Sequence, residues 1–186
     1  MKFRKAFART ALAATILAGA GSAFAQNSMV GGAEMFADKP IAENAVNAPN
    51  LTTLVAAVQA AGLVETLAGE GPFTVFAPDN AAFEKLPPGT VEELLKPENK
   101  DKLTAILTYH VVPAKATSEA AMGMIKDDGG EHPAPTVQGE QITLKMDGDK
   151  IVVVDANGGE ATVTQADVMQ SNGVVHVIDT VLMPKM

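Results

Sequence analysis

Histidine is the side chain best placed to move protons or hold a metal near neutral pH, and this chain has three: His110, His132 and His176. None stands in a His-x-x-x-His pair or a His-Glu-x-x-His site, the spacings that bring two imidazoles to one metal. Met122 and Met124 precede His132, and thioethers suit Cu(I). The same two methionines serve equally to fill gaps in a core. There is no cysteine, so thiol chemistry and disulfide frameworks are both excluded. The serines after residue 25 are Ser28, Ser118 and Ser171, and none lies in a Gly-x-Ser-x-Gly elbow. No glycine loop ends in Lys-Ser or Lys-Thr, and no Gly-x-Gly-x-x-Gly opens a helix. Carboxylates are plentiful but form no recognisable acid–base pair. The residue types thus predict no catalytic centre, no cofactor and no metal.

What is left is recognition. His110 follows the single tyrosine, Tyr109, and is flanked by Ile106, Leu107, Val111 and Val112. One reading is an exposed Tyr-His recognition pair. The other is an interior histidine bonded to a carboxylate or backbone group, because buried polar atoms need partners. The apolar flanks favour the second. His176 sits in an equally apolar run, with Asp79 or Asp179 as its expected partner. An interior histidine that is charged only in acid makes stability depend on pH.

The elements that position these residues are legible in outline. Phe73 to Ala77 is a short apolar run between Pro72 and Pro78, which predicts a buried strand. Pro78-Asp79-Asn80 is turn chemistry, and Asp79 or Asn80 can cap the helix that continues through Phe83. Asn172 to Pro184 contains the likeliest mate, a strand apolar on both faces and therefore central in its sheet. Before this pair, Pro40 to Val46 suits a short helix, and Asn50 is expected to cap another that ends at Gly62. Leu103, Ile106 and Leu107 share a helix face leading into a strand over Tyr109 to Val112. Ser118 to Ile125 is weakly helical, and residues 127–135 read as loop. Gln141 to Met146 and Ile151 to Val154 flank the hairpin turn Asp147-Gly148-Asp149, and Asn157-Gly158-Gly159 makes a second turn. Helices crowd the first half and hairpins the second, which predicts an α+β fold.

The ends carry a different signal. Lys2, Arg4, Lys5 and Arg9 precede an apolar run from Ala11 to Ala20, and Ala23-Phe24-Ala25 has the small-x-small form of a cleavage site. Residues 1–25 are expected to be a signal peptide, cut between Ala25 and Gln26, for a protein secreted to the periplasm or the exterior. The run is shorter than the roughly 20 residues that cross a bilayer, and no transmembrane segment is expected in the mature chain. Residues 26–37, with Gly31-Gly32, read as a flexible leader whose Met29, Val30, Met35 and Phe36 could dock on the domain. Without the four basic residues of the signal segment, ten Lys and Arg face 22 Asp and Glu, a net charge of −12. That balance disfavours nucleic acid and anionic membrane surfaces as partners. A single domain, expected to be monomeric, follows over residues 38–184.

Three blocks occur in order: Thr74 to Phe83, Tyr109 to Val112, and Asn172 to Pro184. Together they resemble the two signature segments and the intervening Tyr-His motif of the fasciclin domain family, and the body is similar to small single-domain secreted bacterial members. The resemblance covers about Asp38 to Pro184. It implies a β-wedge or twisted sandwich with several short helices along one edge, and a non-enzymatic role in cell adhesion or matrix interaction. In animal relatives, Tyr109-His110 would correspond to an integrin-linked motif. Asp167-Val168 falls where those relatives carry an Asp-Ile adhesion pair, with Val for Ile. Bacteria lack integrins, so the residues carry over without that partner. The expected interaction residues are therefore Tyr109, His110, Asp167 and Val168, facing a protein or polysaccharide at a cell surface. The alternative is a periplasmic binder of a small apolar ligand held between wedge and helices.

Overall fold

The computed structural model describes residues 27–185; the expected signal peptide lies outside them. The described chain opens with a hairpin, β1 (Ser28–Val30) and β2 (Ala33–Met35), turning through Gly31 and Gly32 at φ 59° and 88°. Three helices follow: α1 (Ile41–Ala45), α2 (Thr52–Ala61) and α3 (Val64–Ala68). Strand β3 (Phe73–Pro78) leads into α4 (Asn80–Glu84) and α5 (Thr90–Leu94). A 3₁₀ turn at Pro97–Asn99 then enters α6 (Lys100–Tyr109). Beyond it lie β4 (Val111–Val112), α7 (Ser118–Asp127), and β5 (Glu131–Pro135). The last strands are β6 (Gln141–Asp147), β7 (Lys150–Val154), β8 (Glu160–Gln170) and β9 (Gly173–Ile178).

The large sheet runs β4-β3-β9-β8-β7-β6-β5. Only β3 and β9 pair in parallel, Phe73 opposite Gly173 through Pro78 opposite Ile178. All six residues of β9 are buried, as expected for a strand covered on both faces. Alternate residues serve two cores. Val75, Ala77, Val175 and Val177 face a core shared with α2, α6 and the N-terminal hairpin. Phe76 and Ile178 face a second, shared with β5–β8 and α7. The sheet bends enough for its ends to approach: Val137, just past β5, donates its N–H to the carbonyl of Val111 in β4 at 2.8 Å.

The architecture is the expected α+β wedge, with most helices before the hairpins. Several local expectations need correction. Residues 28–35 form a hairpin with Val30 and Met35 buried in the helix-side core, rather than a flexible leader. Two turn glycines between alternating apolar residues suffice for that structure. Tyr109 belongs to α6 and His110 caps it, so the strand there shrinks to Val111–Val112. Glu131–Pro135 is a strand, not a loop; its prolines are tolerated because β5 is a sheet edge.

Asn50 does not cap α2. The Asn80 side chain does, accepting from Thr53 N at 3.1 Å and donating to the Pro49 carbonyl at 3.2 Å. Asp79 caps α4 through Ala82 N at 2.8 Å. The two adjacent turn residues thus serve two different helices. Asn172 works the same way at the other end: Oδ1 accepts from Ile41 N at 3.0 Å, and Nδ2 donates to the carbonyls of Leu67 and Gly69 at 2.7 and 2.9 Å.

Candidate functional site

Helix α6 carries Leu103, Ile106 and Leu107 inward at helical spacing, and this places Tyr109 and His110 at its buried end. Tyr109 has no exposed surface. It enters the β-side core, where its hydroxyl donates to the Gln141 carbonyl at 3.1 Å and accepts from Ala156 N at 2.9 Å. Burial pushes its pKa up. His110 closes the same end of the helix. Its Nδ1 donates to the Ile106 carbonyl at 2.8 Å, and its Nε2 accepts from Leu182 N at 3.0 Å. Those two bonds fix the neutral tautomer. Burial drives its pKa down to about 4, against the pull of the Ile106 carbonyl.

Asp167 and Val168 lie in β8, where the pairing with β9 slips between Val163 and Gln165 and again between Gln165 and Val168. Asp167 sits at φ 58°, a left-handed conformation that aspartate tolerates better than most residues. The kink aims its carboxylate at the start of α7, where it accepts from Ser118 N at 2.7 Å and from the Ser118 hydroxyl. Its own N–H meets His176 Nδ1 at 3.3 Å, while His176 Nε2 donates to the Ala116 carbonyl at 2.8 Å. The His176 ring stacks on Phe76 with centroids 5.6 Å apart. Burial lowers the His176 pKa as well. The expected partners Asp79 and Asp179 are occupied elsewhere, with Ala82 N and Thr162 N.

Of the four expected interaction residues, then, Tyr109, His110 and Val168 are buried and only Asp167 reaches the surface in part. The fold brings His110 and Val168 to one place. Both line an apolar cavity of about 80 Å³ between the hairpin, α1–α3 and the β3–β9 face of the sheet. Tyr109 is on the far side of the sheet wall. Sequence reasoning anticipated a pocket between wedge and helices but not its lining residues, which come from segments distant in the chain. It also missed Gln170, which accepts from the buried Asn44 side chain and so ties β8 to α1. His132 lies on β5 with its Nδ1 at 2.5 Å from the Asp128 carboxylate. Among the described residues, no three His, Cys, Asp or Glu side chains gather as a metal site. None of the described helices is long and apolar enough to cross a membrane.

The fasciclin domain family model matches residues 49–184. The chain belongs to the fasciclin family. Protein sll1483 of Synechocystis sp. is 53% identical over 146 residues, spanning 78% of this chain and 74% of that protein. Immunogenic protein MPB70 of Mycobacterium bovis is 40% identical, spanning 78% and 69%. Among solved structures, a FAS1 domain pair from the insect cell adhesion molecule fasciclin I superposes with a TM-score of 0.70 at 19% identity. It covers 78% of this chain and about half, 51%, of the other, as one domain of a pair would. The matched span of this fasciclin domain begins after α1, so the N-terminal hairpin and α1 that wall the cavity stand outside it.

Proposed function

We propose that this protein is an exported, non-enzymatic fasciclin domain that mediates cell adhesion or contact with surface or matrix material. The observation that carries the reading is membership of the fasciclin family over residues 49–184, in a fold shared with an insect cell adhesion molecule. Its partner is a protein or polysaccharide at a cell surface. The acidic balance of the chain, 22 Asp and Glu against 14 Lys and Arg, supports a partner that is not polyanionic. Within this reading the Tyr-His motif acts by holding the scaffold, since its side chains are spent on internal hydrogen bonds. Asp167 is the one motif residue with a partly free surface to offer. A strain lacking the protein is expected to attach poorly to surfaces or to neighbouring cells, with attachment restored by adding the purified protein. Normal attachment in that strain overturns the proposal.

A further inference from the structure

We propose that the cavity between the hairpin, α1–α3 and the sheet binds the end of an alkyl chain. Protein interiors are close-packed, and voids larger than a water molecule are few. This one measures about 80 Å³ and is bounded by a mostly apolar surface. The buried polar side chains on its wall are already used within the protein. His110 is bonded to Ile106 and Leu182, and Asn44 to Phe36 and Gln170. Water gains little there, because a buried water needs two to four polar partners. A hydrocarbon group loses nothing by entering and gains dispersion contacts along the wall.

The cavity also communicates with solvent. The described residues include four large hydrophobic side chains that are exposed: Met29, Val46 at 59%, Val64 at 38% and Val137 at 42%. The three valines all line this one space. Val46 and Val64 flank the packed pair α1 and α3, and Val137 lies beside β4. Exposed hydrophobics scattered singly need no explanation; three converging on one apolar cavity form an entrance. Its size selects the ligand. An engineered cavity of about 150 Å³ accommodates benzene, so a space near half that favours a slim, flexible chain end over a ring. The polar remainder of such a molecule stays outside, beyond the valines.

The test uses the purified protein with ¹³C-methyl methionine and 1-hexanol as the probe. Met35 lines the cavity, whereas Met29, at 54% exposure, is absent from its lining. A saturable shift of the Met35 signal is expected, with Met29 unmoved. Ala42→Leu fills the wall and is expected to reduce the saturable shift at least tenfold in affinity. Val64→Phe narrows the entrance at an exposed position and supplies the same comparison if Ala42→Leu fails to fold. Absence of a saturable Met35 shift overturns the proposal, as does an unchanged titration in a folded variant. Attachment does not enter this measurement, so the surface role stands or falls separately.

Discussion

His110 is held by the Ile106 carbonyl on one nitrogen and by Leu182 N–H on the other, and its neighbours leave it only 2% exposed. Truncation to alanine strands the Leu182 N–H and empties the ring's volume. Unsatisfied buried donors and core cavities each cost about 1–3 kcal/mol. His110→Ala is therefore expected to lower the melting temperature by about 5–10 °C, as calorimetry will show. The same contacts give a pH response. The folded state holds the ring neutral, with a pKa near 4 against an ordinary 6.5. The unfolded chain therefore binds more protons between those values. Stability from this group is complete above about pH 6.5, falls as the pH drops, and levels off near pH 4. A loss of about 3 kcal/mol accumulates across that window. His176, lowered by burial too, adds in the same direction. Urea titrations at successive pH values will read the slope, and a flat profile from pH 7 to pH 4 contradicts it.

Element by element, the chain is tied together by short polar side chains at strand ends. Asp167 combines a left-handed backbone with a clamp on the first turn of α7. Asp167→Ala keeps the strain and loses the clamp, whereas Asp167→Asn retains the backbone tolerance and an acceptor oxygen. Alanine is expected to cost about 1–3 kcal/mol and asparagine clearly less, measured by chemical denaturation. Equal costs would mean that neither geometry nor acceptor matters there. Much of this layer was legible in the sequence. The strand over Phe73 to Ala77, the central strand β9 and the β6–β7 hairpin all follow from period, bounding prolines and turn residues. What could not be read was where a capping side chain would go. Asn80 is in the right place to cap its own helix, yet its amide reaches Thr53 of α2, a choice made by tertiary packing. An interior His110 was legible from its aliphatic flanks, although Tyr109 and His110 were also the expected interaction pair. That the Tyr109 hydroxyl would bond Gln141 and Ala156, and the His110 ring Leu182, was not legible, since those partners lie far along the chain.

For the whole molecule, the N-terminal hairpin is a structural member. Val30 and Met35 are 1% and 2% exposed and close one side of the helix-side core. Gln165 Nε2 anchors the hairpin by donating to the Met29 carbonyl at 2.6 Å. Each such apolar side chain contributes about 1.5–3 kcal/mol by burial. Deleting residues 27–36 is expected to cost about 3–6 kcal/mol and to raise binding of a hydrophobic fluorophore, because the cavity loses a wall. Unchanged stability after the deletion would show the hairpin to be an ornament on a self-sufficient fold. The parallel pairing of β3 with β9 has a consequence in time. These strands form the wall between both cores, and Phe73 meets Gly173, so the wall joins an early segment to the last strand made. Contacts so distant along the chain form slowly and only after a costly loop is closed. A growing polypeptide cannot seal either core until β9 is released, so it stays open and threadable until then. On the proposed export of the protein, such late closure leaves the chain open for translocation to come first.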